Sequence, residues 1–212
     1  MPVNDPIVAE QTPAADFTID QKWDRYTSEE HAIWTTLYER QMKVLQGRAA
    51  PEHFKGLELL NLNEGGIPDF RRVNEKLEKL TGWTVVTVPG LIPERDFYEH
   101  LANRRFVSGR FIRDGEKLDY LPEPDIFHDV FGHVPMHANK DFAEFLAAFG
   151  RLAATFDDPV CAEAFARLFW FTVEFGLILE DGDVRIYGSG LISSSGDAAN
   201  ALGPQCTRRP FV

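Results

Sequence analysis

The chain has 212 residues and a mass of 24.0 kDa, enough for one large domain or two small ones, and its 44% apolar content is ordinary for a globular core. Its 33 acidic and 22 basic side chains give a net charge of −11, which argues against nucleic acid and anionic membrane surfaces as partners. Two cysteines without CxxC spacing argue against a disulfide framework, a thiol redox site and a zinc ribbon.

The first twenty residues contain three prolines, scattered acids and no helical or strand periodicity. This composition predicts a loosely held, flexible arm over residues 1–20, followed by one folded domain over residues 21–212. The N-terminus also lacks a basic segment followed by an apolar run, and no later stretch approaches the length of about 18 apolar residues that a membrane span needs. We therefore expect a cytoplasmic protein.

Helices are predicted where apolar residues recur at helical spacing next to capping residues. The first begins at Ser28, which is expected to act as its N-cap, and ends near Gly47. The second covers Asp69 to Leu80, and a third begins near Pro93. Between them, TVVTV (84–88) predicts a short strand closed by proline and glycine.

The second half of the chain adds two longer helical patterns. Residues 139–156 predict an amphipathic helix capped by Asn139, and residues 159–179 predict a helix that is apolar on nearly every side, as a central element is. VRIY, which follows Asp183, predicts a short strand. No internal repeat or linker divides the chain. The expected fold is mainly α with small β elements.

Three of the six histidines lie within FHDVFGHVPMH. His128 and His133 are five residues apart, about 140° around an ideal helix, so a regular helix does not bring their rings together. They converge only if the backbone departs from that geometry, and Gly132 with the Val-Pro pair that follows it permits such a departure. His137 need not point the same way. For any single histidine, a core role remains an alternative to a ligand role.

Glu174 is the one ionisable residue in the apolar stretch LFWFTVEFGLIL. An unpaired buried carboxylate costs several kcal/mol, so such a group protonates, pairs with a cation or binds a metal. One alternative is a salt bridge with Arg151 or Arg167. Two imidazoles and one carboxylate form the ligand set of non-haem iron(II) oxygenases, but zinc hydrolases use the same donors. Ligand chemistry alone leaves iron and zinc both open.

Three blocks, PEPDIFHDVFGHVP, WFTVEFGL and YGSGLISS, together resemble the catalytic domain of the pterin-dependent aromatic amino acid hydroxylases, in particular its bacterial phenylalanine-hydroxylating members. The resemblance extends from near Trp23 to about residue 197. It implies a single catalytic domain of this type over residues 21–212. It also implies an iron(II)- and tetrahydropterin-dependent monooxygenase that converts L-phenylalanine to L-tyrosine with O2.

The resemblance also implies roles for individual residues. The iron ligands are expected to be His128, His133 and Glu174, with Asp129 beside them hydrogen-bonded to the pterin. The expected pterin contacts are Gly90, Ile92, Phe97, Asp129 and Phe169. The expected substrate contacts are Arg113, which clamps the carboxylate, with Pro124, Trp170, Phe175, Gly190 and Ser193. The alternatives are a local cap for Asp129, a core role for Phe97 and an ordinary surface role for Arg113.

The chain also departs from the family pattern. Val107, Leu121 and Phe169 replace a histidine, a threonine and a tyrosine of the animal enzymes, and the family's domain continues beyond Val212, so a domain shortened or altered at its C-terminus is expected. No regulatory domain or coiled coil is apparent, so we expect a monomer. Two alternatives remain, namely a zinc-dependent hydrolase with the same ligands and a non-catalytic relative that binds metal or pterin.

Overall fold

The computed structural model describes residues 5–62, 65–119 and 123–211. Within these ranges the helices are α1 (Pro6–Ala9), α2 (Ser28–Leu45), α3 (Pro51–Leu59), α4 (Phe70–Thr81), α5 (Glu94–Ala102), α6 (Lys140–Ala153), α7 (Pro159–Phe169), α8 (Ser189–Ser193) and α9 (Ser195–Ala201). The strands are β1 (Thr84–Thr87), β2 (Arg105–Ser108), β3 (Leu177–Glu180) and β4 (Asp183–Ile186). Two segments are π-helical, Phe127–His133 and Trp170–Glu174. Short 3-10 turns cover Trp23–Arg25, Gly115–Lys117 and Val134–Ala138.

The strands form two small sheets. β1 and β2 run parallel, with Thr84 opposite Arg105, and are joined by α5. β3 and β4 form an antiparallel hairpin, with Leu177 opposite Ile186. All remaining regular structure in the described ranges is helical, so the predicted fold class, mainly α with small β elements, is confirmed.

Aromatic packing ties the first π-helical segment to the core. The rings of Phe127 and Phe131 are fully buried and stack with their centroids 4.6 Å apart. Trp34 of α2 meets Phe127 edge-on at 5.2 Å. Burial of such rings is among the largest apolar contributions to a fold, so this face of the segment is fixed and the opposite face is free to carry the histidines.

The helix termini follow the predicted caps with one exception. Asn139 accepts backbone hydrogen bonds at the start of α6, as predicted, and Asp69, where the second helix was predicted to begin, is the N-cap of α4. The N-cap of α2 is Thr27 rather than Ser28. The side chains of Thr27 and Glu30 each accept a hydrogen bond from the other's backbone N–H, which satisfies two unpaired groups at once and explains the shift by one residue.

The prediction of one central helix over residues 159–179 is wrong. The helical part ends at Phe169, the π-helical segment follows, and residues 177–180 pair as β3. The cause is the two-residue turn Asp181-Gly182, in which both residues have positive φ (50° and 88°), as the tight hairpin turns that suit twisted strands require. No side chain of α7 is fully buried, although Phe165, Leu168 and Phe169 pack partly buried against the core, and Phe171 is 65% exposed, so this region lies at the edge of the core and not at its centre.

The expectation of a loosely held arm also differs from what residues 5–20 do. Ile19 pairs with Thr87 at the edge of β1, and the backbone carbonyl of Asp16 lies 2.8 Å from Nε2 of His100. These contacts hold the segment against β1 and α5. The proposed domain start at residue 21 stays a prediction.

No helix in the described ranges is both long enough and apolar enough to cross a lipid bilayer.

One buried histidine makes the free energy of unfolding depend on pH. His53 of α3 is fully buried against Phe131, and neither of its ring nitrogens has a hydrogen-bond partner in the described structure. Burial lowers the pKa of His53 from 6.5 to about 3. The folded protein therefore keeps this ring neutral, whereas the unfolded chain takes up a proton below pH 6.5.

We predict that the stability supplied by a neutral His53 is present above about pH 6.5 and is lost as the pH falls toward 3. In His53→Phe, which keeps a ring but cannot titrate, the loss of unfolding free energy between pH 7 and pH 5 should be smaller than in the wild type by about 2 kcal/mol. Urea unfolding at both pH values measures this difference. Equal losses in the two proteins would contradict the prediction.

Candidate metal centre and substrate cleft

The first π-helical segment brings two histidines together. Its i→i+5 hydrogen bonding places residues five apart on the same side, which an α-helix does not. Nε2 of His128 and Nε2 of His133 lie 3.3 Å apart. The expectation that these rings converge only through a departure from ideal helix is confirmed. Gly132 contributes to this geometry, because a Cβ at that position would lie 3.0 Å from the carbonyl oxygen of Ser189 in α8.

The second π-helical segment brings a carboxylate to the same point. Oε1 of Glu174 lies 3.0 Å from Nε2 of His133, and Oε2 lies 3.7 Å from Nε2 of His128. One donor atom from each of the three residues lies within 4.8 Å of the others, a cluster that could hold a metal ion. The backbone of α8 lies close to Glu174 because residue 190, a glycine, has no side chain. A Cβ at Gly190 would sit 3.2 Å from Oε2 of Glu174.

A hydrogen-bonded chain sets the tautomer of His128. The hydroxyl of Ser193 donates to the carbonyl of Ser189 at 2.9 Å, so its oxygen is left to accept from Nδ1 of His128, also at 2.9 Å. The proton then lies on Nδ1, and the lone pair of Nε2 faces the cluster. This is the usual way in which a hydrogen bond from the second ring nitrogen orients a histidine ligand.

The charge states of the cluster suit a cation. Burial acts to raise the pKa of Glu174, but the charge and hydrogen bond of His133, the charge of His128 and the Ser189 hydroxyl lower it, and the result is about 2. Burial, followed by repulsion from His133, lowers the pKa of His128 to about 4. At neutral pH the site therefore holds an ionised carboxylate beside a neutral imidazole, the forms in which both residues bind metals.

Within the described residues, Glu174 does not form the salt bridge with Arg151 or Arg167 that was the alternative to a ligand role. Arg167 pairs instead with Glu163, at 2.5 Å on the surface of α7. His137 turns away from the cluster, with Nδ1 2.9 Å from the carbonyl of His133 and its ring 4.6 Å from that of Trp83. His137 is therefore a core histidine, as its position beyond Pro135 allowed.

On one side of the cluster, aromatic rings surround His133. The Phe106 ring lies 4.7 Å from the His133 ring and the Phe169 ring 6.2 Å, and Phe97 packs edge-on against Phe169 at 5.4 Å. Phe97 and Phe169, both predicted pterin contacts, are thus neighbours. Gly90 and Ile92 lie in the loop between β1 and α5, with Gly90 exposed.

Asp129 lies on the same side. Its Oδ2 accepts a hydrogen bond from the backbone N–H of Gly109 at 2.9 Å. Burial raises the pKa of Asp129 well above its usual range, although the bond from Gly109 opposes this rise. The carboxyl group is held by a neighbouring strand end rather than by its own helix, so the alternative role as a local cap is not what the structure shows.

On the other side of the cluster lies a cleft of about 900 Å³, lined in part by His128 and Glu174. All six predicted substrate residues line it, namely Arg113, Pro124, Trp170, Phe175, Gly190 and Ser193. The rings of Trp170 and Phe175 are 4.6 Å apart and form one wall. The volume is within the range typical of small-molecule sites, and the lining combines this aromatic wall with many polar and charged groups.

Arg113 is buried and already paired. Its Nε and Nη2 bind the two carboxylate oxygens of Asp125 at 2.8 and 2.9 Å, and its Nη1 donates to the carbonyl of Leu118. A guanidinium has five N–H groups, so two remain for a ligand in the cleft. The alternative of an ordinary exposed arginine is wrong, and Asp125 is what holds this side chain in place.

Sequence reasoning missed Asp125. Its Oδ1 also accepts the backbone N–H of His128 at 3.0 Å, so one carboxylate joins the arginine to the start of the histidine segment. The signal was present, because an aspartate three residues before a helical position is a common capping pattern.

Of the departures from the family pattern, Leu121 lies outside the described residues, whereas Val107 lies in β2 and Phe169 at the end of α7.

Comparison with known proteins places these features in a family. Residues 13–212 match the family model described as biopterin-dependent aromatic amino acid hydroxylase. The chain is 54% identical over 187 residues to phenylalanine-4-hydroxylase of Caulobacter vibrioides and 49% identical over 189 residues to that of Chromobacterium violaceum. These alignments cover 88% and 89% of this chain. The chain spans 64% of the length of each of these two relatives.

Solved structures show the same fold. The Chromobacterium violaceum enzyme with bound iron(III) and oxidised cofactor 7,8-dihydrobiopterin superposes with a TM-score of 0.88 at 46% identity, covering 95% of this chain and 73% of that one. The same enzyme with bound iron and phenylalanine gives a TM-score of 0.83 at 45% identity, covering 94% and 74%. With its family model matched over residues 13–212, the chain belongs to the biopterin-dependent aromatic amino acid hydroxylases.

Proposed function

We propose that this chain hydroxylates L-phenylalanine to L-tyrosine with O2, using Fe(II) and a tetrahydropterin. The observation that carries the proposal is the meeting of His128, His133 and Glu174 at the cleft that holds every predicted substrate residue. Relatives named phenylalanine-4-hydroxylase and a neighbour that binds iron and phenylalanine support this choice over other aromatic substrates.

The donor set fits iron(II). His128, His133 and Glu174 would occupy one side of the ion, as in the sites with two histidines and one carboxylate that leave coordination positions open. When bound, iron and the reduced pterin supply the oxygen chemistry. The protein's own residues do the rest, because Ser193 fixes the His128 tautomer and Glu174 contributes the negative charge.

The chain's side chains hold the two organic molecules on opposite sides of the cluster. Phe97, Phe169 and Asp129 would contact the pterin, with Gly90 and Ile92 at its edge. In the cleft, the two remaining N–H groups of Arg113 suit the substrate carboxylate, since a guanidinium fork matches a carboxylate. Trp170, Phe175 and Pro124, which all line the cleft, would contact the aromatic ring and keep water from it.

We further propose that the protein works in the cytoplasm as a monomer. Sedimentation of the purified chain measures its mass in solution.

The first expected outcome concerns activity. Iron-loaded protein supplied with phenylalanine, a tetrahydropterin and O2 should form tyrosine and consume oxygen. A zinc hydrolase with the same ligands would consume no oxygen. Folded, fully iron-loaded protein that forms no tyrosine would contradict the proposal and favour a non-catalytic relative.

A second outcome concerns Glu174. Glu174→Gln keeps the size of the side chain and removes its charge, so iron affinity should fall by more than the roughly 10–100-fold that loss of a hydrogen-bond partner to a ligand costs. Iron content after dialysis measures the loss, and circular dichroism should show the fold retained. Glu163→Gln on the exposed face of α7 is the matched control and should bind iron normally. Wild-type iron binding by Glu174→Gln would remove this residue from the ligand set.

A third outcome concerns specificity. Trp170→Phe shortens one wall of the cleft, so hydroxylation of tryptophan relative to phenylalanine should rise by roughly tenfold. Competition between the two amino acids measures the ratio of their kcat/KM values. Phe171→Leu, a change at the exposed neighbouring position, should leave the ratio as it is. An unaltered ratio in Trp170→Phe would show that this side chain does not set specificity.

A further inference from the structure

The run of residues 109–113 joins the two sides of the candidate site. At its start, the N–H of Gly109 holds the carboxyl group of Asp129. At its end, Arg113 is fixed by Asp125 and faces the cleft. Any displacement of this run would move a cofactor-side contact and a substrate-side contact together.

Arg110 anchors the run from the interior. Its side chain is 1% exposed, and Nη1 forms an ion pair of 2.6 Å with Oδ2 of Asp5. Nε donates to the carbonyl of Gln21 at 3.1 Å, and the guanidinium lies 4.3 Å above the ring of Tyr26. The Tyr26 hydroxyl donates to the carbonyl of Arg110 at 2.6 Å. Both the side chain and the backbone of residue 110 are therefore held.

The N-terminal segment that carries Asp5 is itself attached at other points. Asp16 forms a 2.7 Å ion pair with Arg105 of β2, and Ile19 pairs with Thr87 of β1. Asp5 also caps α1 through a hydrogen bond from the N–H of Ile7. The carboxylate that pairs with Arg110 therefore belongs to a segment that other contacts hold in place.

The energetics make Asp5 decisive for this anchor. An arginine is almost never fully buried unless it is paired, and removing one partner of a buried ion pair leaves an uncompensated charge. Without Asp5, the guanidinium of Arg110 would be an unpaired buried charge, and it would lower its free energy by moving toward water. Gly109 is its immediate neighbour in the chain, so its N–H would move with it, away from Asp129.

We propose that the ion pair of Asp5 with Arg110 positions the Gly109 amide, so that the N-terminal segment holds Asp129 in its geometry for pterin binding. Asp5 and Arg110 are positioning residues and touch neither cofactor nor substrate. The inference rests on the proposed function only in assigning Asp129 to the pterin. It extends the functional unit to residues far from the three sequence blocks that resemble the family.

The test compares Asp5→Asn with the double variant Asp5→Asn, Arg110→Met. The double variant removes the buried charge as well as its partner, while the methionine keeps an apolar stem against Tyr26. Asp20→Asn, which alters an exposed carboxylate of the same segment, is the control. Two quantities are measured, the Kd of iron-loaded protein for 7,8-dihydrobiopterin by calorimetry and the hydrogen-exchange rate of the Gly109 amide in iron-free protein by NMR.

In Asp5→Asn the Kd should rise roughly tenfold, and the Gly109 amide should exchange faster. Iron content should stay at the wild-type value, which a general loss of structure would not allow. The double variant should return both quantities toward wild type, and Asp20→Asn should change neither. A wild-type Kd together with wild-type exchange in Asp5→Asn would overturn the inference.

Two further outcomes are kept distinct. If Asp5→Asn does not fold, Asp5→Glu replaces it, since the charge is kept but its reach is altered. The Kd should then rise about threefold, and an unchanged Kd would overturn the inference. If wild-type iron-loaded protein binds no dihydrobiopterin, the proposed function fails, and exchange at Gly109 alone decides whether the ion pair positions that amide.

Discussion

The negative charge of Glu174, whose side chain is only 14% exposed, is the constraint on which the site depends. A buried carboxylate is stable only with a hydrogen-bond or positive partner, and beside the Ser189 hydroxyl at 3.1 Å it has two imidazoles whose nitrogens lie 3.0 and 3.7 Å away. Two imidazole nitrogens that face one another at 3.3 Å, beside an ionised carboxylate, form an arrangement that a bound cation completes. The burial of this carboxylate beside two imidazoles therefore favours metal binding over a surface ion pair.

Two π-helical segments make this meeting possible, and the fold is arranged around them. Phe127 and Phe131 bury one face of the first segment, which leaves its histidines to face the second. The segments then divide the surroundings of the cluster into an aromatic side near Phe169 and a cleft lined by Trp170. Because these two residues are consecutive, the junction of α7 with the second π-helical segment contributes to both sides, which suits a reaction that brings a cofactor and a substrate to one metal.

The sequence was sufficient for the parts of the structure governed by local chemistry. The cap at Asn139, the start of a helix at Asp69 and the strand at 84–87 all follow from residue pattern and spacing. The π-helical geometry does not follow from residue pattern, because it involves close packing between Gly132 and the backbone of α8, which lies far away in the sequence. The pairing of Arg113 with Asp125 joins residues that are twelve positions apart, so no local pattern indicates it. Helix α3 was not predicted, because its apolar residues do not recur at a strong helical spacing. The Asp181-Gly182 hairpin was recognisable but was obscured by the apolar run before it.

The most direct test of this account is an anomalous difference map, recorded at the iron absorption edge, from crystals of the protein prepared with Fe(II) under anaerobic conditions. The account predicts one strong peak bonded to Nε2 of His128, Nε2 of His133 and the carboxylate of Glu174, with its remaining positions open toward the cleft. A peak elsewhere, or one bonded to the histidines while Glu174 points away, would contradict it.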